Sequence, residues 1–142
     1  MMPSAPDETP GPKPGVSSLR ILAVDDDPGE FALLEDGFAR CGVEVELFTA
    51  TTAPLAIVEL HLAGHQGRPH VALVDIGMPL VSGFELARQL VAEDIPTILM
   101  SSHVDGARAA MAREIGALDL LAKPVDGPGY GAFAARVLRM LR

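Results

Sequence analysis

The chain has 142 residues, of which 49% are hydrophobic and 4% aromatic, with a single Cys and a formal net charge of −8. This length suits one domain with a substantial core, the apolar content excludes a disordered protein, and one Cys excludes an intrachain disulfide. The acidic balance argues against direct nucleic-acid binding, and we expect a cytoplasmic protein without membrane insertion because neither a signal peptide nor a run of about 18 apolar residues occurs.

The first 18 residues form a segment rich in proline and glycine. Its prolines are Pro3, Pro6, Pro10, Pro12 and Pro14. Proline lacks an amide hydrogen and fixes φ, so this spacing leaves no room for a helix or a central strand. We expect residues 1–18 to be a disordered tail and residues 19–142 to form the domain.

Short apolar strands then alternate with helices. The predicted strands are Leu19–Val24, Val43–Phe48, Val71–Asp75, Thr97–Met100 and Leu118–Leu121. The predicted helices are Pro28–Arg40, a helix capped by Thr51 or Thr52 that runs to about Leu62, Phe84–Ala92, Ala107–Ile115 and Tyr130–Leu141. Such alternation predicts an α/β fold with a doubly wound parallel sheet. Five strands favour the flavodoxin-like order 2-1-3-4-5.

Acidic residues follow two of these strands. Asp25 and Asp26 end the first strand and Asp75 ends the third. The predicted order makes these strands neighbours at the switch point of the sheet, where ligands bind outside the carboxyl ends. Three carboxylates should therefore converge in one crevice, with Ser101 and Lys123 following strands 4 and 5 on the same rim.

A cluster of this kind predicts a bound cation. Two carboxylates about 4 Å apart repel by about 4 kcal/mol at an effective dielectric near 20, and one Lys cannot neutralise three acids. The oxygen ligands favour Mg²⁺, with Mn²⁺ possible, over Zn²⁺, and Ca²⁺ would require more ligands. Asp75 could then act as a nucleophile toward a phosphoryl group, with the cation and Lys123 binding its oxygens and Ser101 donating its hydroxyl.

The same residues resemble the receiver domain of bacterial two-component response regulators, of the chemotaxis-regulator type. The resemblance extends from about Leu19 to Leu141. It rests on ILAVDDDP, on VALVDIGMP, on the Gly83-Phe84-Glu85 step, on Ser101 and on Lys123-Pro124.

The resemblance implies a role for each site residue. Asp75 is the phosphoacceptor, Ser101 the switch hydroxyl and Lys123 the residue that pairs with the phosphoryl group. Asp26, Asp75 and the backbone carbonyl of Gly77 would bind Mg²⁺, with Asp25 acting mainly through a water molecule. The resemblance also implies that the protein is not an enzyme with an external substrate and catalyses only its own phosphorylation and dephosphorylation.

It implies protein partners as well. The phosphoryl donor is a sensor histidine kinase or a histidine phosphotransfer protein. We expect a stand-alone phosphorelay switch whose output is protein binding through helix 4, strand 5 and helix 5, because no basic helix-turn-helix follows.

Three positions are expected to modulate this behaviour. Leu120 stands where the family usually has Tyr or Phe, so the usual aromatic lever is missing. Gly77 and His103 occupy positions that tune autodephosphorylation in the family. Gly77 leaves the site open to water, and His103 could partly close it.

Two alternatives stay open. A degenerate receiver would bind partners without phosphorylation, and Leu120 is the one feature in its favour. A small Mg²⁺ phosphatase would use Asp75 as nucleophile, but it needs a general acid at Gly77, which has no side chain to supply one. Outside the site, Met100, Met111, Tyr130 and Phe133 are predicted to pack in the core.

Overall fold

A computed structural model of the chain describes residues 18–64, 66–78 and 82–141. The predicted tail, residues 1–18, lies outside these ranges except for Ser18. The strands are β1 (Leu19–Val24), β2 (Val45–Ala50), β3 (Val71–Asp75), β4 (Thr97–Ser101) and β5 (Asp119–Ala122). The helices are α1 (Gly29–Arg40), α2 (Ala53–Ala63), α3 (Gly83–Ala92), α4 (Gly106–Ile115) and α5 (Gly129–Met140).

The five strands form one parallel sheet in the order β2-β1-β3-β4-β5. This is the predicted order 2-1-3-4-5, so the fold prediction is confirmed. Val24 at the end of β1 pairs with Val74 of β3, which leaves Asp25 and Asp75 side by side beyond the pairing. The switch point of the sheet therefore lies between the two acidic strand ends, as in other doubly wound sheets.

Helices cover both faces of the sheet. Alternate residues of β1 and β3 point to opposite faces, which is the period of two expected of a strand. Leu22 and Val74 belong to the core that α2, α3 and α4 cover, whereas Ile21 and Leu73 belong to the core under α1 and α5. Because both faces are buried, β1 and β3 are nearly continuous apolar runs.

Short polar side chains begin most of the helices. The Thr52 hydroxyl accepts a hydrogen bond from the Leu55 amide, Ser82 accepts from Phe84, and Asp105 accepts from Arg108. These bonds satisfy amides that have no partner within the helix.

The first helix begins one residue later than predicted. The side chain of Asp27 accepts a hydrogen bond from the Gly29 amide, and Pro28 is the residue at the helix boundary. The remaining helix ends lie within about one or two residues of the predictions, which is the usual uncertainty of such boundaries.

The second strand lies two residues further along the chain than predicted. Val43 was expected to begin it, but the Val43 amide donates to the Phe38 carbonyl and so helps to end α1. Gly42, with φ of 75°, allows the chain to reverse there. Pairing with β1 starts at Val45 and continues to Ala50. The fifth strand is likewise displaced by one residue, to Asp119–Ala122.

The core predictions hold for three of four side chains. Met100, Tyr130 and Phe133 are buried. Met111 is 39% exposed, so its assignment to the core is wrong. The buried residues of α4 are Ala112 and Ile115, and Met111 lies at the exposed edge of the face that they form.

Candidate phosphoryl-transfer site

The three acidic residues meet at the carboxyl ends of β1 and β3. One ligand oxygen from each of Asp25, Asp26 and Asp75 lies within 4.8 Å of the other two. At an effective dielectric near 20, two unit charges at that distance repel by about 3.5 kcal/mol. The convergence predicted from the strand order is therefore present, together with the repulsion that calls for a cation.

Lys123 supplies part of the compensating charge. It follows β5, and its Nζ atom lies 2.7 Å from Asp25 Oδ2 and 3.4 Å from Asp75 Oδ2. The Lys123 amide also donates to the Ser101 carbonyl at 2.8 Å, which fixes the start of the segment after β5 against the end of β4. Three carboxylates and one ammonium group still leave a formal charge of −2 in the pocket.

The electrostatics of Asp25 reflect its burial. Its side chain is completely buried, and this burial raises its pKa to about 6. The Lys123 hydrogen bond and the Asp27 amide oppose the rise, while the negative charge of Asp75 adds to it. Both Asp25 oxygens are already engaged, because Oδ1 accepts from the Asp27 amide at 3.0 Å and Oδ2 from Lys123.

The pKa of Lys123 is raised. Burial on its own lowers this pKa, but the Asp25 hydrogen bond and the charges of Asp25, Asp75 and Glu30 outweigh it. The ammonium form is thus held in place by the carboxylates around it.

The donor set fits a hard divalent cation. Asp26 is exposed at the mouth of the pocket, and Asp75 is almost completely buried beside it. Carboxylate oxygens are the ligands that Mg²⁺ takes in proteins, and two of them leave positions for water and a phosphate oxygen. The formal charge of −2 matches the charge of such an ion.

The residues that flank Asp75 leave its carboxylate uncrowded. The Gly77 amide donates to Asp75 Oδ1 at 2.9 Å. A Cβ atom at position 77 would start 3.3 Å from that oxygen, so a side chain there would crowd the carboxylate. Gly83 allows α3 to begin directly against the end of β3, because a Cβ there would overlap Ile76 Cα.

Ser101 ends β4 and is buried near the same edge of the sheet. Among the described residues, its hydroxyl is bound to His103: it donates to the His103 carbonyl at 2.7 Å and accepts from the His103 amide at 3.0 Å. The His103 side chain is 72% exposed, and its Nε2 atom lies 3.5 Å from Asp105 Oδ2. In this arrangement the Ser101 hydroxyl is hydrogen-bonded to the loop after β4 rather than to Asp75.

Leu120 is buried, in the core on the α2, α3 and α4 side of the sheet.

The structure also contains a contact that sequence reasoning did not find. The Tyr130 hydroxyl at the start of α5 donates to the Glu30 carboxylate at the start of α1, close to the acidic pocket. Neither residue stands at a strand end, so no pattern of strand termini could have indicated the pair.

Comparison with known proteins agrees with this geometry. Residues 21–129 match the model of the response regulator receiver domain. The chain belongs to that family. Receiver domains are parts of two-component systems, and this receiver carries the acidic pocket of Asp25, Asp26 and Asp75.

Curated relatives include larger regulators. The two-component response regulator ORR26 of Oryza sativa subsp. japonica is 37% identical over 109 residues, which cover 75% of this chain and 18% of that protein. The transcriptional regulatory protein PrrA of Mycobacterium tuberculosis is 36% identical over 132 residues, or 90% of this chain and 52% of that protein. The receiver thus spans about half or less of these relatives.

Solved structures share the fold. The phosphorylated cyanobacterial phytochrome response regulator RcpA superimposes with a TM-score of 0.75 at 17% identity, covering 88% of this chain and 94% of that one. A CheY-like receiver from Methanospirillum hungatei gives a TM-score of 0.68 at 24% identity, covering 88% and 94%.

Proposed function

We propose that this receiver is a phosphorylation-dependent signalling switch in which Asp75 accepts a phosphoryl group from a phosphohistidine. The donor is a sensor histidine kinase or a histidine phosphotransfer protein, in keeping with membership of a two-component family. The observation that carries the proposal is the pocket itself: a nearly buried Asp75 flanked by two further carboxylates and by Lys123.

In the proposed step, an Asp75 carboxylate oxygen attacks the phosphorus atom of the phosphohistidine. The P–N bond breaks, and the imidazole nitrogen leaves with the electron pair and is then protonated. Lys123 lies 3.4 Å from Asp75 Oδ2 and can pair with the transferred group. The backbone bond to Ser101 fixes the segment that carries Lys123, so only its side chain has to shift from Asp25 toward the transferred group.

Mg²⁺, or Mn²⁺ in its place, would balance the charge that spreads over the phosphoryl oxygens when it is bound. We propose Asp26, Asp75 and the Gly77 carbonyl as its ligands. Asp25 would act through a water molecule, because its own oxygens are engaged by Lys123 and the Asp27 amide.

Ser101, Gly77 and His103 complete the proposed site. The Ser101 hydroxyl would exchange its His103 carbonyl partner for a phosphoryl oxygen, at the cost of the 2.7 Å bond to that carbonyl. Gly77 has no side chain to crowd the Asp75 carboxylate or to exclude water from it, and the His103 side chain is exposed, so both would set the phosphate lifetime.

The output we propose is binding of another protein through α4, β5 and α5. No helix in the described part of the chain combines the length and the apolar character needed to cross a bilayer. We place the switch in the cytoplasm, where a kinase and a downstream protein partner could both reach it without direct contact to nucleic acid or membrane.

The test is phosphorylation of the purified chain with acetyl phosphate and Mg²⁺. We expect one acid-stable, base-labile phosphoryl group by intact mass, which does not form when EDTA is present and is absent in Asp75→Asn. Asp36→Asn, on the exposed face of α1, is the matched control and should be phosphorylated normally.

Two other outcomes would each support another function. If neither acetyl phosphate nor a cognate kinase phosphorylates the chain, then the degenerate receiver, a binding module independent of phosphorylation, is the better description. Repeated turnover of an external phosphomonoester would support a phosphatase, which the lack of a general acid at Gly77 argues against.

A further inference from the structure

A hydrogen bond beside the pocket joins α1 to α5. Tyr130 is 2% exposed, and its hydroxyl donates to the Glu30 carboxylate. The ring packs against Phe133 with centroids 6.2 Å apart. Glu30 stands in the first turn of α1, and Tyr130 in the first turn of α5.

The backbones of these two helices are also in close contact. A Cβ atom at Gly37 of α1 would collide with the Tyr130 carbonyl oxygen. Tyr130 therefore cannot shift appreciably without moving α5 relative to α1. Tyr130 thus contacts α1 at two points, its backbone at Gly37 and its hydroxyl at Glu30, and these contacts form the α1–α5 joint.

The Tyr130–Glu30 bond and the Lys123–Asp25 bond join the same two stretches of chain, the one after β1 and the one after β5. Charge links the two bonds. The carboxylate of Glu30 helps to raise the pKa of Lys123. Burial and the bond to Glu30 raise the pKa of Tyr130, and the charges of Asp25 and Asp27 add to that rise.

We propose that phosphorylation of Asp75 strengthens the Tyr130–Glu30 bond and so tightens the α1–α5 joint. This inference rests on the proposed function. A phosphoryl group on Asp75 draws the Lys123 ammonium away from Asp25 and Glu30. The Glu30 carboxylate then carries more uncompensated negative charge and becomes a stronger acceptor for the Tyr130 hydroxyl.

The joint provides an output route that does not need an aromatic residue at Leu120. Leu120 belongs to the core on the α2, α3 and α4 side, whereas Tyr130 belongs to the core on the α1 and α5 side. In this chain the response to phosphorylation would thus reach the surface of α1 and α5 through a buried hydroxyl.

The tyrosine content of the chain allows a direct test by fluorescence. The chain has one Tyr and no Trp, so its intrinsic emission comes from Tyr130 alone. A carboxylate that accepts a hydrogen bond from tyrosine quenches the emission by removing the excited-state proton. Emission should therefore fall as acetyl phosphate and Mg²⁺ phosphorylate the full chain, in proportion to the phosphorylated fraction measured by intact mass.

Two variants on α1 separate the coupling from general effects. Glu30→Gln keeps an oxygen acceptor but removes the charge, so it should be phosphorylated on Asp75 while its emission stays constant. Glu35→Gln, exposed on the same helix, should behave like the wild type.

The outcomes are distinct. Full phosphorylation of the wild type with constant or rising emission would overturn the inference and leave the proposed function intact. The same holds if Glu30→Gln retains the fall in emission. Failure to phosphorylate the wild type at all would overturn the proposed function, and this inference with it.

Discussion

At the scale of single residues, burial gives different properties to carboxylates that look equivalent in the sequence. Asp25 is fully buried and bound by Lys123 and an amide, and its pKa is raised to about 6. Asp26 next to it is exposed. Asp75 is 5% exposed and has one oxygen on the Gly77 amide. These different surroundings support the roles we propose: charge balance for Asp25, ion binding for Asp26 and phosphoryl transfer for Asp75.

A single histidine gives a pH prediction away from the site. The His70 Nδ1 atom accepts a hydrogen bond from the Arg20 amide at 2.9 Å, and protonation would remove this acceptor. Burial, together with the charge of Arg20, lowers the pKa of His70 in the folded chain. A histidine whose pKa is lowered by folding stabilises the folded chain at pH values above its ordinary pKa of 6.5. This stabilisation is lost as the pH falls below that value.

We therefore expect acidification from about pH 7.5 to about pH 5.5 to lower the free energy of unfolding of the wild type relative to His70→Asn. Urea unfolding at both pH values measures the difference. His61→Asn, exposed on α2, is the control and should follow the wild type. If the wild type and His70→Asn had equal pH dependence, the bond from Arg20 would not be sensitive to protonation.

At the scale of elements, the joint between α1 and α5 depends on the absence of a side chain at Gly37. A Cβ there would collide with the Tyr130 carbonyl oxygen, which is backbone and cannot rotate away. Gly131 on α5 provides a contrast, since the nearest atom to a Cβ there is Arg40 Cδ at 3.8 Å, an ordinary contact.

We expect Gly37→Ala to lower the free energy of unfolding by about 1–3 kcal/mol through overpacking. Gly131→Ala should raise it by about 0.5–1 kcal/mol, because alanine is the better helix former and nothing opposes its methyl group. Chemical denaturation of both variants measures the two changes. A destabilised Gly131→Ala with an unaffected Gly37→Ala would contradict the described packing of the joint.

The sequence predicted the type and order of every element, because the strands are apolar runs and the helices carry caps and terminal glycines. The predictions failed at positions where contacts with a neighbouring helix or strand decide the local structure. Val43 satisfies the alternating pattern of a strand, yet its amide completes the end of α1. Met111 is as apolar as a core residue, yet α4 turns Ala112 and Ile115 inward instead.

Site prediction had the same limit. Strand ends locate the Asp pair, Asp75, Ser101 and Lys123, since the carboxyl ends of parallel strands share one edge of the sheet. Nothing in the sequence indicates that Lys123 is nearer to Asp25 than to Asp75, or that the Ser101 hydroxyl is bound to His103. These details depend on side-chain rotamers in the folded chain.

At the scale of the whole molecule, the acidic pocket belongs to a chain whose net charge is −8. We expect Mg²⁺ to raise the free energy of unfolding, by about 2.7 kcal/mol at a concentration one hundred times its Kd, because the unfolded chain does not bring the three acids together. EDTA should reverse the effect. Thermal unfolding with and without the ion measures it.

Two comparisons show whether the gain comes from the pocket. NaCl at matched ionic strength screens the overall charge but should give little of the increase. Asp26→Asn should lose most of it, whereas Asp36→Asn on the outer face of α1 should retain it. Equal stabilisation of both variants by Mg²⁺ would locate the binding elsewhere on the protein.

The order of the strands also has a consequence for biosynthesis. Asp25, Asp75 and Lys123 are separated by long stretches of chain, and Lys123 is the last of the three to leave the ribosome. Domains generally fold as units, so the sheet that brings Asp25 and Asp75 together forms only when β5 and the Lys123 ammonium group are available. The acids of the two central strands therefore come together in the same folding event as the ammonium group that contacts both of them.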